Sequence, residues 1–216
     1  MIKTIWTKNE IAIADELQLL VPKLLEEFLL YHQDFNTTFS KHTSYADVNL
    51  KLDPREKDIW KVEGMRYVSP DQNIELNPYK DPNTQKNFPT AVMLTEKYVE
   101  FCGCSGYSIL EPGGVINRHT DIENRDRSTV RIHIPLIIPK GDVFIEIGGT
   151  ELYWTDIFAF DNEEPHSAYN NTDNRRLIYL IDIKRSFLGI PEGEPFVLKR
   201  FEPYVRAVSS TDRMLL

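Results

Sequence analysis

The segment 130–138, VRIHIPLII, constrains the fold more than any other stretch of this chain. Successive side chains of a strand point to opposite sides, so Val130, Ile132, Ile134, Leu136 and Ile138 share one face and Arg131 and His133 the other. A strand that is apolar on one side and bears a cation and an imidazole on the other suits a barrel with a polar lumen and helices covering its outside. The neighbouring segments agree. After Pro89, YSILEPGG, VRIHIPLIIPKGD, VFIEIGGTELYW, FAFDNEEPH and RLIYLIDIK read as short strands between turns, with no helical pattern among them. This predicts a mainly-β sandwich or barrel.

The first part of the chain is different. From Asn9 to Tyr31, Ile11, Ile13, Leu17, Leu20, Leu24, Phe28 and Tyr31 recur at helical steps, and Pro22 is expected to kink this helix or to begin a second one. TSYADVNLKL and IWKVEGMRYV read as strands, the second closed by a Ser69-Pro70-Asp71 turn. Residues 70–90 contain Pro70, Pro78, Pro82 and Pro89 and predict a surface loop framing a site. The expected organisation is one domain over 1–216, with helical and strand support in 1–89, a β-rich core in 90–185 and a C-terminal extension in 186–216.

With 25 basic and 33 acidic residues, the net charge of −8 repels polyanions and excludes nucleic acid as an expected partner. The sequence has no apolar run of about 18 residues, and acids break its N-terminal segment, so a soluble, cytoplasmic protein without a membrane partner is expected. Cys102 and Cys104 sit too close for an ordinary disulfide and predict reduced thiols beside a strand.

Three of the five histidines fall in the β-rich half: His119, His133 and His166. Any one alone reads as an ordinary packed histidine. In His119-Thr120-Asp121, however, two ligand types stand at i and i+2, where a strand points both to one side. His166 follows 47 positions later at the end of another predicted strand, which makes a facial set of two histidines and one carboxylate available for non-haem iron(II). Three ligands on one face leave positions for an acidic co-substrate, which would need a cationic anchor. Arg176, ten positions after His166 at a strand start, offers a bidentate fork for a carboxylate. Arg131 and His133 would line the same lumen. Asp161 and Asp182 read as turn and backbone partners, with Asp182 able to orient a neighbour; Asn162-Glu163-Glu164 reads as a solvated turn, and Trp154 and Phe160 as core.

These residues resemble the aspartyl/asparaginyl β-hydroxylase family of iron(II)- and 2-oxoglutarate-dependent dioxygenases, which includes proline-hydroxylase-like members. The resemblance covers about Tyr107 to Arg185. It runs through Ser108, Pro112-Gly113, His119-x-Asp121, Arg131-x-His133, Pro139, Trp154, Phe160-Asp161, His166, Asn170, Arg176 and Ile181-Asp182. It implies iron ligands His119, Asp121 and His166, 2-oxoglutarate contacts from Ser108, Arg131, His133 and Arg176, and a double-stranded β-helix, a jelly-roll or cupin-like barrel with supporting N-terminal helices. It further implies iron(II) as cofactor, with 2-oxoglutarate and O2 as co-substrates. Several peptide-hydroxylating members lack the carboxylate at the position of Asp121. The twelve-position step from His119 to Arg131 looks more like the free-proline hydroxylases.

The reading is therefore a hydroxylase acting on an unactivated C–H of a free amino acid or small derivative, with Arg125, Arg127 and the 70–90 segment as substrate-pocket candidates. Three alternatives stay open: β-hydroxylation of Asp or Asn side chains in a peptide or protein, a non-catalytic cupin-like binding module, and a zinc hydrolase.

Overall fold

The computed structural model describes residues 3–32, 60–69, 74–121 and 127–192. The strand expected over 43–52, the turn at Pro70-Asp71 and Arg125 lie outside them. The strands are β1 (Ile5–Thr7), β2 (Trp60–Ser69), β3 (Ile74–Leu76), β4 (Cys102–Leu110), β5 (Val115–His119), β6 (Thr129–Ile137), β7 (Val143–Ile147), β8 (Thr150–Tyr153), β9 (Phe158–Phe160), β10 (His166–Asn170) and β11 (Arg176–Lys184). The helices are α1 (Ala14–Tyr31), α2 (Pro82–Asn87), α3 (Pro89–Lys97) and α4 (Arg185–Leu188).

Two antiparallel sheets face each other. The larger runs β1-β9-β6-β11-β4-β2-β3 and the smaller β5-β10-β7-β8. From β4 to β11 the chain alternates between the two sheets, except at the β7–β8 hairpin within the smaller one, in the order of a double-stranded β-helix. The pleat then sorts side chains as the sequence pattern requires. Val130, Ile132 and Ile134 of β6 and Leu177, Tyr179, Ile181 and Ile183 of β11 pack outward against Leu17, Leu24 and Phe28 of α1 and Ala91 and Leu94 of α3. Between the sheets lies a second core of Leu110, Val143, Ile145, Ile147, Trp154, Phe158, Phe160, Ala168 and Ile178. The inward positions of β6 and β11 thus hold Arg131, His133, Arg176 and Asp182, all buried.

Several local expectations change. No second helix begins at Pro22: α1 runs through it as one helix. Leu17 on one side and Leu24 and Phe28 on the other are fully buried in the same core, and that burial offsets the one hydrogen bond proline removes. The proline-rich 70–90 segment is not a loop among its described residues. Pro82 and Pro89 each begin a helix, where the missing N–H has no partner to lose, and the Asp81 carboxylate caps α2 by accepting from Asn83 N and Thr84 N at 2.8 and 3.2 Å. Helix α3 occupies the start of the 90–185 stretch expected as a β-rich core, ahead of the first strand read at Tyr107.

Two close approaches place the site. In the β7–β8 hairpin, Gly148 and Gly149 take φ of +56° and +87°, the left-handed pair a two-residue turn needs. Gly106 of β4 lies against β2 so closely that a Cβ would come within 2.6 Å of Glu63 O, and this contact brings Trp60 to the open end between the sheets. Cys102 and Cys104 are free and buried on β4. Among the described residues no helix is long and apolar enough to cross a membrane.

Candidate metal centre and its anion pocket

Strands β5 and β10 are neighbours in the smaller sheet, and their register sets His119 directly opposite His166. Side chains of directly opposed residues lie on one face, and the two imidazole rings come to 4.3 Å between centroids. His166 starts β10 instead of ending a strand, because the preceding turn from Asp161 to Pro165 crosses between the sheets. Asp121 sits just past the end of β5, where its N–H donates to Asn162 O at 3.0 Å. One ligand atom from each of His119, Asp121 and His166 lies within 4.8 Å of the others.

The protonation pattern suits a metal. His119 Nδ1 donates to Asn117 O at 2.7 Å and His166 Nδ1 to Glu164 O at 2.8 Å. A carbonyl can only accept, so in its neutral form each ring holds its lone pair on Nε2, and these are the atoms that face Asp121 at 3.5 and 4.0 Å. Burial lowers the pKa of His166 to about 4, against the pull of Asp121. Burial is the largest single influence on His119 and lowers it, but the pull of Asp121 and the Asn117 carbonyl together outweigh it, and the net shift is upward. Burial alone would raise Asp121; Arg131 beside it and the two histidines hold it far below the usual carboxylate range.

Arg131 is the tie behind the carboxylate. Its Nε and Nη2 donate to the two oxygens of Asp182 at 2.7 and 2.8 Å, and its Nη1 pairs with Asp121. Asn162 Nδ2 donates to Asp121 Oδ2 at 3.1 Å. Asp182 therefore orients a neighbour, as its position suggested. Asn162 and Glu163, by contrast, are buried. The expected solvated turn is instead clamped: Arg127 pairs with Glu164 at 3.0 Å and with Asp161 at 3.5 Å, and Arg185 reaches Asp161 at 2.7 Å. Arg127 thus stands in ion pairs next to the metal turn.

Behind the three ligands, a cavity enclosing about 390 Å³ with its open mouth is lined by Trp60, Ser108, Arg131, His133, Trp154 and Arg176, with apolar Ile145, Phe160 and Ile178. All four residues assigned to 2-oxoglutarate meet here. Arg176 is 1% exposed, yet its Nε and Nη2 have no hydrogen-bond partner. Its guanidinium lies 4.9 Å from the centre of the Trp154 ring. Burial lowers its pKa to about 9, which leaves it charged at neutral pH. Burial and the nearby Arg176 cation push His133 well down, so it is neutral. Sequence reasoning did not single out Trp60, whose strand pairs with β4 over a long separation, and placed Trp154 in the core only.

Fold and site together define a double-stranded β-helix protein with a two-histidine, one-carboxylate cluster beside a cationic pocket. The profile of the aspartyl/asparaginyl β-hydroxylase family matches residues 9–186, and the chain belongs to this family. Curated protein sequences give no match. Among solved structures, a 2OG-Fe(II) oxygenase family oxidoreductase from Burkholderia pseudomallei is 12% identical, over 66% of this chain and 73% of that one, with a TM-score of 0.40. A predicted oxalate decarboxylase from Thermotoga maritima is 17% identical, over 42% and 73%, with a TM-score of 0.33. A cupin domain of an XRE family transcriptional regulator from Enterobacter cloacae is 17% identical, over 37% and 79%, with a TM-score of 0.30.

Proposed function

We propose that the chain is an iron(II)- and 2-oxoglutarate-dependent dioxygenase that hydroxylates an unactivated C–H of a free amino acid or small amino-acid derivative. One observation carries this reading: a buried guanidinium without a hydrogen-bonded partner, Arg176, shares a cavity with the ligand cluster. A buried cation left unpaired is costly, and a carboxylate is the ligand whose geometry matches its fork. A zinc hydrolase would have no use for such a group, and a silent binding module would have no use for the adjacent ligands.

The residues fit the groups this reading requires. His119 Nε2, His166 Nε2 and the Asp121 carboxylate would hold iron(II), a donor set of two imidazoles and one carboxylate. Bound there, iron(II) supplies the redox chemistry that couples O2 to oxidation of 2-oxoglutarate and of the substrate. Arg176 would bind the co-substrate's carboxylate. Ser108 and His133 would give it further hydrogen bonds, Arg131 keeps Asp121 ionised and aimed, and Ile145, Phe160 and Ile178 exclude water. The substrate assignment rests on the spacing of the metal motif. The test is 2-oxoglutarate consumption by purified protein with iron(II) and O2, screened over the free amino acids. Turnover stimulated by one of them is the expected result. If none is oxidised while an Asp- or Asn-containing peptide gains a single oxygen, the small-substrate assignment is wrong.

A further inference from the structure

Two polar side chains of the cavity can both donate and accept, and in each an indole occupies an acceptor site: the one lone pair of neutral His133 and one of the two on Ser108 Oγ. Trp154 Nε1 donates to His133 Nδ1 at 3.1 Å, and Trp60 Nε1 donates to Ser108 Oγ at 2.9 Å. An indole nitrogen can only donate. His133 therefore carries its proton on Nε2, and neither that proton nor the Ser108 hydroxyl proton has a hydrogen-bond acceptor among the described residues. Beside them Arg176 offers Nε and Nη2. Trp154 also stacks along His133, with an interplanar angle of 22°, and lies against the Arg176 guanidinium, so one ring holds two of the three donors in place.

We propose that Trp154 and Trp60 are positioning residues that set the proton polarity of this pocket. By covering the single acceptor of His133 and one of the two lone pairs of Ser108 Oγ they bias the wall toward donors, which favours a carboxylate over its neutral amide. The physical basis is the asymmetry of buried hydrogen bonding: an amide NH2 placed against N–H and O–H donors leaves both sides unpaired. Without the Trp154 N–H, His133 is free to move its proton to Nδ1 and accept from the amide through Nε2. This inference rests on the reading of the cavity as a 2-oxoglutarate site and names the residues that decide what that site excludes.

The test has two readouts. The first is the tautomer of His133 in metal-free, 15N-labelled protein, from long-range 1H–15N correlation spectra. The second is the affinity of zinc-loaded protein for 2-oxoglutarate and for its 5-amide, by calorimetry. Wild-type His133 should be protonated on Nε2 and the protein should prefer the dicarboxylate. Trp154→Phe should mix the tautomers and cut the carboxylate-over-amide preference about three- to tenfold, the worth of one hydrogen bond. Trp60→Phe, on a different strand, should cut the preference while leaving the His133 tautomer unchanged, a combination that general loosening of the fold does not produce. A wild-type His133 protonated on Nδ1, or a Trp154→Phe protein with full discrimination, overturns the proposal. A wild-type protein that binds neither probe overturns the 2-oxoglutarate reading, and the His133 tautomer then decides the indole lock by itself.

Discussion

Replacing Arg176 by Met should make the ligand-free protein more stable and abolish its response to 2-oxoglutarate. The guanidinium is 1% exposed, with two nitrogens unpartnered. At about 1.4 kcal/mol per pH unit, the fall of its pKa to about 9 from an ordinary value above ~12 corresponds to roughly 4–5 kcal/mol held against the charged form. Methionine removes that charge but leaves some volume unfilled and gives up the contact with the Trp154 ring. A net gain of about 1–3 kcal/mol is in keeping with the replacement of buried ions by apolar side chains. For a chain of this size it raises Tm by about 2–12 °C. The assay is thermal unfolding of zinc-loaded protein with and without 2-oxoglutarate, zinc supporting binding without turnover. A ligand at about 100 times its Kd stabilises the wild type by about 2.7 kcal/mol, whereas Arg176→Met should show no shift. A variant that melts below the wild type and still responds fully to 2-oxoglutarate would refute the claim that Arg176 is an unsatisfied anion anchor.

Further outcomes follow from the same geometry. His119→Ala and His166→Ala should each abolish iron binding and 2-oxoglutarate consumption; full turnover in either removes that residue from the ligand set. Zinc should inhibit the iron-dependent reaction, since it takes nitrogen and oxygen ligands but has no redox chemistry, and a rate unaffected by zinc speaks against a shared site. Asp182→Asn replaces one charge of a bidentate, fully buried pair with Arg131. It should cost about 1.5–3 kcal/mol in urea unfolding and weaken metal affinity through Asp121; unchanged metal affinity would show that Arg131 transmits nothing. Lowering pH should destabilise the metal-free protein between about 6.5 and 4. Over that window His166 stays neutral when folded but takes a proton when unfolded, so its contribution falls by up to ~1.4 kcal/mol per pH unit. His133, also shifted down, acts in the same direction. His119, shifted up, opposes them, its contribution being present below its unfolded value and lost as pH rises through its folded one. Urea melts at pH 7, 6 and 5 read the slope, and a flat profile contradicts the burial of His166 as a neutral group.

The parts of this structure that were legible in the sequence are those in which one strand carries its own instruction. The alternation of β6 puts Val130, Ile132 and Ile134 under the helices and Arg131 and His133 inside, and β11 repeats it with Arg176 and Asp182. Metal-ligand types at i and i+2 survive any choice of partner strand. Partners that meet across long separations were less accessible. Trp60 reaches Ser108 over 48 residues, and Asn162 reaches Asp121 over 41. Neither residue type announces a site by itself, and Asn-Glu-Glu before Pro165 has the composition of an exposed turn. Its burial depends on Arg127 and Arg185 arriving from other elements. Proline misled for a different reason. The same residue that ends a helix also begins one, and Pro82 and Pro89 were distinguishable only by the capping carboxylate of Asp81 and by the core that α3 covers.

Under the proposed function, the arrangement of charge would orient the ligands of the cavity. With its histidines in their neutral, metal-binding form, the cavity and the groups directly behind it hold Asp121, Asp182, Arg131 and Arg176, two charges of each sign, but not evenly placed. Arg131 lies between the two aspartates, so the end with the metal ligands carries one net negative charge. Arg176 stands apart as one net positive charge at the other end. A divalent cation is drawn to the first end, whose sign it reverses, and a carboxylate to the second, whose charge it neutralises. With iron(II) in the ligand cluster, as proposed, both ends would be positive, and a dianion that spans them would restore neutrality to a largely dry space. A monoanion would leave one buried charge uncompensated. Under the proposed function, a preference for a dicarboxylate long enough to reach from the metal to Arg176 would follow from where Arg131 sits. Because it joins Asp182 to Asp121, it leaves Arg176 as the cation that requires a ligand.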